Sequence, residues 1–100
     1  MSRPYYSEYV RHCLRFFARN LHCTTFKTPV DKENWEACHN AISSLPDKMK
    51  DILVMVYGGY DTLADEVYNV SKKYSINQNI IWDIMKDFEK NVAKQRGLIS

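Results

Sequence analysis

Three prolines and three glycines occur in this chain of 100 residues, and all of them lie at the ends of segments with helical patterning. Proline fits the first turn of a helix but breaks its interior, and glycine often ends a helix because it adopts the left-handed conformation without steric cost. Between these positions apolar residues recur at spacings of three and four, and no stretch alternates as a strand does. The chain is therefore predicted to be an all-α protein whose five helices form a single domain over residues 1–100.

Each predicted helix has recognisable end signals. Thr28 and Thr62 have side chains that can cap a helix, and an aspartate follows each of them by three residues. Asn77 can cap the last helix, and Gly97 can stop it. The predicted helices run from Pro4 to Asn20, from Pro29 to Leu45, from Pro46–Asp47 to Gly58–Gly59, from Thr62 to Tyr74, and from Asn77 to Arg96.

The apolar positions of these helices predict the core, since residues three and four apart share one helix face. The longest connection, residues 22–28, loses this periodicity and is predicted to be a loop. The predicted core residues are Val10, Cys13, Leu14, Phe17, Leu21, Trp35, Cys38, Ile42, Leu45, Met49, Ile52, Leu53, Val56, Tyr57, Leu63, Val67, Val70, Tyr74, Ile81, Ile84, Met85, Phe88 and Val92.

The first 30 residues are basic and aromatic. They carry four arginines and one lysine against a single glutamate, a local charge of +4 in a chain whose net charge is +2. Arg11, Arg15 and Arg19 fall four apart and form one ridge, which can contact phosphates or an acidic partner, or can simply face solvent. Nearby tyrosines and Phe16 cannot all face the core stripe, so aromatic surface is expected to remain for a protein partner.

Each of the three cysteines adjoins a histidine, in the pairs His12–Cys13, His22–Cys23 and Cys38–His39. Thiolate and imidazole are ligands that zinc prefers. Neighbouring helical residues point about 100° apart, however, and the paired spacings of zinc motifs are absent. The pattern favours buried structural cysteines beside surface histidines, with no metal site.

The segment from Val70 to Ile84 has the spacing that a DNA-binding helix-turn-helix requires. Ser71 is small where the two helices approach each other, and Ile76 can fill the space after the turn. Ser75 occupies the position where glycine is commonest, so a left-handed conformation there is expected to be strained. The residues predicted to face outward at the start of the last helix are Asn77, Gln78, Asn79, Trp82, Asp83 and Lys86.

These outward residues have suitable chemistry for DNA. Asparagine and glutamine can bond adenine through two hydrogen bonds, lysine can reach guanine or phosphate, and tryptophan can contact a thymine methyl group. Asp83 opposes phosphate unless it accepts a hydrogen bond from cytosine or orients Lys86. In the alternative interpretation, Asn77 and Asn79 only cap the helix and Trp82 packs against another helix or a partner.

The run from Trp35 to Leu98, which includes "AISSLPDKMKDILVMVYGGYDTLADEVYNVSKKYSINQNIIWDIMKDFEKNVAKQRGLI", resembles region four of bacterial sigma factors and the small phage-type regulators related to it. The shared features are a helix that begins near Leu45–Pro46, the apolar "ILVMVY" run, a break, and a helix-turn-helix whose last helix ends in basic residues. The similarity covers about two thirds of the chain. The supporting helix departs from the usual isoleucine–alanine start, with Leu63–Ala64–Asp65–Glu66 before Val67–Tyr68, and the recognition helix is not strongly basic.

The resemblance divides the domain into an N-terminal helix and loop, residues 1–30, and a region-four-like unit, residues 31–100. It implies base contacts by Gln78, Asn79, Trp82 and Lys86, to which the outward position of Asn77 adds a fifth candidate. It implies phosphate contacts by four further lysines, Lys72, Lys73, Lys90 and Lys94. A chain of this length is too short for a complete sigma factor, so a small phage or mobile-element regulator is the expected class.

The predicted function is sequence-specific DNA binding in transcription regulation. Double-stranded DNA is the expected partner, with RNA polymerase and a second copy of the chain as further candidates. The alternative is a non-catalytic helical protein-interaction module that uses the aromatic N-terminal helix. No nucleophile elbow, phosphate loop or metal motif occurs, so neither catalysis nor a cofactor is expected. The N-terminus lacks the apolar run of a signal peptide, and a cytoplasmic protein without a membrane segment is expected.

Overall fold

The computed structural model describes residues 5–22 and 25–99, and these residues contain five α-helices. The all-α, five-helix prediction is confirmed. The helices are α1 (Ser7–Arg19), α2 (Pro29–Ser43), α3 (Asp47–Gly58), α4 (Leu63–Tyr74) and α5 (Gln78–Gln95).

The five helices share one core. Helix α1 packs against α2, α3 and α5, while α4 packs against α3 and α5. Helix α5 contacts all four of the other helices, so it is the central element of the packing. The radius of gyration is 13.1 Å, close to the ~13 Å of a compact domain of this length. Within residues 5–22 and 25–99, none of the helices combines the length and apolar content needed to cross a lipid bilayer.

The helix ends follow the predicted signals at most positions. The Thr28 hydroxyl accepts from the Asp31 N–H at 3.1 Å, and the Thr62 hydroxyl accepts from the Asp65 N–H at 3.2 Å, so both predicted threonine caps are confirmed. Gly97 follows α5 with φ +73°, the left-handed conformation expected of a helix stop. The two threonine hydroxyls accept hydrogen bonds from backbone N–H groups that have no partner within the first turn of their helix.

The predicted start of α1 is wrong. The helix begins at Ser7 rather than Pro4, which lies outside the described residues, and Tyr5 and Tyr6 form a turn. Tyr6 occupies the N-cap position without a side-chain cap, because a tyrosine hydroxyl is too far from the backbone to act as one. The preceding residue, Tyr5, donates a hydrogen bond from its hydroxyl to the carbonyl of Leu98 at 2.5 Å.

The predicted core is largely confirmed. Leu21 is the exception: its side chain is 39% exposed, because α1 ends at Arg19 and the chain turns away from the apolar stripe. Six further predicted residues are only partly buried. Trp35, Leu45, Leu63, Tyr74 and Ile84 pack against the edge of the core, and Met49 is the sixth. Tyr6, Ala37, Ala41 and Ala93 are buried in addition to the predicted set.

Candidate nucleic-acid interface

The connection between α4 and α5 is short and closed by hydrogen bonds. Ser75 has φ 55° and ψ 47°, so the left-handed conformation predicted for it is confirmed. The Ser71 carbonyl accepts from the N–H groups of both Ser75 and Ile76, and the Ser71 hydroxyl donates to the Ile76 carbonyl. Ile76 is partly buried against the core. The end of α4 is therefore fixed relative to the start of α5.

The first turn of α5 presents polar side chains. The Asn77 side-chain oxygen accepts from the Asn79 N–H at 2.8 Å, so Asn77 caps the helix as one interpretation of the sequence proposed. This bond uses one of the two lone pairs of the oxygen, so the second lone pair and the amide NH2 group remain for a contact with a base. Gln78 and Asn79 are exposed, and Ile80 beside them is 52% exposed. Ile80 was not among the predicted contact residues, although its position outside the Ile81–Met85 stripe already indicated an exposed side chain.

Helix α5 buries one face and exposes the opposite one. Ile81 and Met85 are buried in the core, while Trp82 is partly buried beside them at the edge of the helix. The exposed face follows helical spacings of four, three and four residues. Its members are Asn79, Asp83, Lys86 and Lys90. The structure thus brings Asn79 and Lys86 to one face and turns Trp82 partly away from it.

The lysines at the end of α4 have local partners as well as solvent contact. The ammonium of Lys72 lies 4.9 Å from the centre of the Tyr68 ring. The ammonium of Lys73 lies 5.8 Å from the centre of the Tyr74 ring and 3.9 Å from the sulfur of Met55. Both side chains remain exposed, so both can still reach a phosphate.

We define the α4–α5 surface as the polar and charged residues around this connection and along the exposed side of α5. They are Lys72, Lys73, Asn77, Gln78, Asn79, Trp82, Asp83, Lys86, Asp87, Lys90 and Lys94. Five lysines stand against two aspartates, which gives the surface a local charge of +3. Lys86, Lys90 and Lys94 follow one another at intervals of four along α5, so the positive charge continues along the helix.

The basic ridge predicted on α1 is largely occupied by contacts within the protein. The guanidinium of Arg11 pairs with Glu89 at 3.0 Å. The guanidinium of Arg19 donates to the carbonyl of Gly59 at 2.7 Å and lies 4.6 Å from the centre of the Tyr60 ring. Two of the three arginines therefore hold neighbouring elements together, which leaves the α4–α5 surface as the better candidate for phosphate contacts.

Sequence reasoning missed a buried carboxylate. Glu89 is 4% exposed and accepts hydrogen bonds from the Tyr57 hydroxyl at 2.5 Å and from the Arg11 Nε at 3.0 Å. It lies four residues after Met85 and three before Val92, so it falls on the apolar stripe of α5. The sequence does contain a signal for it. A charged residue on the apolar face of a helix indicates a buried carboxylate with partners, since carboxylates are rarely buried without them.

A second polar cluster surrounds the buried side chain of Asn34, which is also on an apolar helix face. Asn34 is 5% exposed, and its side-chain oxygen accepts from the Tyr9 hydroxyl at 3.1 Å and from the Arg96 Nε at 2.5 Å. The same arginine also pairs with Glu33 at 3.2 Å. This cluster ties the end of α5 to α1 and α2.

The described cysteines are buried and free. Cys13 and Cys38 are 1% and 0% exposed, as predicted, and His12 and His39 beside them are exposed. Burial raises the pKa of Cys13 to about 11 and also raises the pKa of Cys38, so both remain protonated near neutral pH. Across residues 5–22 and 25–99, no three histidine, cysteine or acidic side chains are grouped as metal ligands, and Cys23 lies outside these ranges.

The aromatic surplus of the N-terminal segment is partly absorbed by the fold. Tyr6 is buried, Phe16 is partly buried, and the Tyr9 hydroxyl bonds Asn34. Tyr5 remains 80% exposed. An aromatic surface for a protein partner is therefore smaller than the composition suggests.

Comparisons with protein-family models, with curated proteins and with solved structures find no match for this chain. The α4–α5 surface itself offers amide donors and acceptors at the start of a helix and a series of ammonium groups, and the exposed Ile80 lies beside them. Amides can form paired hydrogen bonds with base edges, and ammonium groups can neutralise phosphates. These are the two kinds of contact that a DNA-binding helix makes.

Proposed function

We propose that the protein is a sequence-specific DNA-binding regulator that places the first three turns of α5 in the major groove. The observation that carries the proposal is the exposed face formed by Asn79, Asp83 and Lys86, on a helix whose opposite face is buried by Ile81 and Met85. A helix anchored in this way can present side chains to base edges without losing its core contacts.

The proposed division of roles follows from where each group lies. Gln78, Asn79 and Lys86 are the proposed base contacts, with Trp82 and Asn77 contributing at the edge of the surface. The exposed Ile80 adds an apolar contact suited to a thymine methyl group. The proposed phosphate contacts are the four remaining lysines, Lys72, Lys73, Lys90 and Lys94.

The resemblance to region four of sigma factors supports the same proposal. The short connection at Ser75 and the placement of α4 against α3 and α5 are compatible with a supporting helix and a recognition helix. A small phage or mobile-element regulator is the proposed class, and RNA polymerase is a proposed partner. A second copy of the chain would allow two half-sites to be bound at once.

The test is a binding titration with labelled duplex DNA at several salt concentrations. The logarithm of the association constant is expected to fall with the logarithm of salt concentration, with a slope of about −0.9 for each phosphate neutralised. Lys90→Ala is expected to make this slope shallower by about one such unit on every sequence. Gln78→Ala is expected to cost about 1–3 kcal/mol on the preferred sequence and little on random duplex.

Lys32→Ala is the matched control, because it removes one exposed positive charge from α2, which contributes no residue to the α4–α5 surface. Its binding is expected to equal that of the unchanged chain. Selection of bound sequences from a random pool then identifies the preferred site. Absence of any complex with random duplex at low salt and high micromolar protein would refute the proposed function.

A protein-interaction module remains the second candidate, and the exposure of Tyr5 is the observation that favours it. Sedimentation of the chain with Tyr5→Ala tests whether this ring holds two copies together. Tyr5→Phe is the control, because it keeps the ring and removes only the hydroxyl that bonds Leu98. Dissociation of a dimer by the alanine variant alone supports an aromatic interface.

A further inference from the structure

The rotation of α5 about its own axis decides which side chains reach a partner. A rotation of 20° moves the surface of a helix, about 5–6 Å from its axis, by about 2 Å. Such a displacement exceeds the tolerance of about 0.5 Å within which polar recognition groups must be held. Some feature of the fold must therefore fix the rotation of α5 if Asn79 and Lys86 are to make specific contacts.

Apolar packing alone fixes this rotation poorly. Ile81, Met85 and Val92 bury their side chains against the core, but hydrophobic burial has no preferred direction. Hydrogen bonds, in contrast, weaken steeply when their angle or length changes. The directional contacts of α5 are therefore the ones that distinguish one rotation from another.

Glu89 makes two such contacts inside the core. Its Oε2 atom accepts from the Tyr57 hydroxyl at 2.5 Å and from the Arg11 Nε at 3.0 Å. These partners belong to α3 and α1, so the carboxylate is held from two helices at once. Rotation of α5 would break both bonds and leave a buried charge without a partner, which is strongly unfavourable.

Arg96 makes the second set of directional contacts, at the C-cap of α5. Its Nε donates to the Asn34 side-chain oxygen at 2.5 Å, and its Nη1 lies 3.2 Å from Glu33. Seven residues separate it from Glu89, which is close to two helical turns, so the two residues lie on the same side of α5. Together they attach this side to α1, α2 and α3.

We propose that Glu89 and Arg96 are positioning residues that fix the rotation of α5 and so determine which side chains of its first three turns face a partner. Neither residue lies on the α4–α5 surface. The rotation itself is independent of any ligand, whereas its consequence for base recognition rests on the proposed DNA-binding function. In some proteins a buried polar or ionic contact selects one arrangement among several that apolar packing would tolerate.

The first experiment replaces the Glu89 contacts by apolar groups of similar size, in the combined variant Arg11→Met, Tyr57→Phe and Glu89→Met. Such replacements often preserve the fold, because no buried charge is left unpaired. Residual dipolar couplings of the α5 N–H groups in a weakly aligned NMR sample vary periodically along the helix, and the phase of that variation reports the rotation. The phase is expected to shift by about 20° or the variation to lose amplitude.

A second variant, Arg96→Met, removes the contacts of Arg96 with Asn34 and Glu33. It tests the proposal even if the combined variant does not fold. In this variant too, the periodic variation of the dipolar couplings along α5 is expected to shift in phase or to lose amplitude. Asp47→Asn is the matched control, since it breaks the surface pair of Asp47 and Lys50 on α3, in which the charged atoms lie 3.9 Å apart. An unchanged phase and amplitude in every folded variant would overturn the proposal.

The second experiment measures duplex binding by the same variants. The ratio of affinities for the selected sequence and for random duplex is expected to fall about tenfold, as for loss of one paired base contact, while the salt dependence stays unchanged. A folded variant that keeps the full ratio would contradict the link between rotation and recognition. If the unchanged chain binds no duplex, the proposed function fails, and the NMR phase still decides whether Glu89 and Arg96 position α5.

Discussion

At the scale of single residues, Ser75 adopts the left-handed conformation that the turn requires, although its side chain makes that conformation unfavourable. It is the one residue other than glycine with positive φ among residues 5–22 and 25–99. A side chain with a Cβ atom is strained in this conformation by about 1–2 kcal/mol. The hydrogen bonds from Ser75 and Ile76 to the Ser71 carbonyl offset part of this strain.

Ser75→Gly is therefore expected to stabilise the fold by about 0.5–1 kcal/mol, because glycine adopts the left-handed conformation freely while gaining some entropy in the unfolded chain. Urea unfolding followed by circular dichroism measures the change. Ser44→Gly is the control, since Ser44 ends α2 with φ −88° and gains nothing from glycine. Equal effects of the two substitutions would show that the left-handed conformation is not the cause.

For Glu89 and Asn34, the sequence indicates an unusual position but not the hydrogen-bond partners. Their positions on apolar helix faces are visible in the sequence, and that alone flags them as unusual. Their partners cannot be predicted, because Arg11 lies 78 residues from Glu89 and Arg96 lies 62 residues from Asn34. Only the packing of the helices brings these groups within hydrogen-bonding distance.

At the scale of helices, the order, number and most boundaries follow from local signals. Proline, glycine and capping side chains act on the residues next to them, so their effect does not depend on tertiary contacts. The start of α1 is the exception, because Tyr6 provides no side-chain cap there. The exposure of Leu21 follows from the end of α1 at Arg19, two residues before it.

Thr62→Ala is expected to destabilise the protein by about 1 kcal/mol, because the Asp65 N–H at the start of α4 then loses its acceptor. Thermal or urea unfolding measures the loss. Thr62→Ser retains the hydroxyl and serves as the matched variant, with a smaller expected loss. If serine and alanine destabilise α4 equally, the cap is not the stabilising contact.

The candidate site is less predictable than the helices that form it. The sequence identifies the exposed polar residues at the start of α5 and predicts the Asn77 cap, but it leaves open whether Trp82 faces outward or packs against the protein. The arginine ridge of α1 illustrates the same difficulty. Its regular spacing is a property of the sequence, whereas the use of Arg11 and Arg19 by other helices is a property of the fold.

At the scale of the whole molecule, three buried acids of high pKa make stability sensitive to alkaline pH. Burial raises the pKa of Cys13 to about 11, and burial is also the main cause that raises the pKa values of Cys38 and Tyr57. For Tyr57, the adjacent Glu89 carboxylate adds to the effect. In the unfolded chain these groups ionise near pH 9 to 10.

A group whose pKa is raised by folding stabilises the native state fully below its unfolded pKa, and this contribution is lost as pH rises toward the folded value. The free energy of unfolding is therefore expected to fall between pH 9 and pH 11, by about 1.4 kcal/mol per pH unit for each group that ionises only in the unfolded chain. Urea unfolding under reducing conditions from pH 7 to pH 10.5 measures this slope.

Cys13→Ala removes one of these groups and is expected to make the decline shallower by the same amount per pH unit. Its lower stability at pH 7, which comes from lost packing, does not affect the slope. A decline identical to that of the unchanged chain would show that Cys13 does not contribute.

The contacts between α1 and α5 also determine when the protein can fold during its synthesis. Arg11 and Tyr5 emerge early from the ribosome, but their partners Glu89 and Leu98 follow 78 and 93 residues later. Until α5 is made, the nascent chain lacks the helix that packs against all four others, and its apolar faces have no complete core to join. The complete core is thus expected to form only after α5 has left the ribosome, and the earlier helices stay open to chaperones until then.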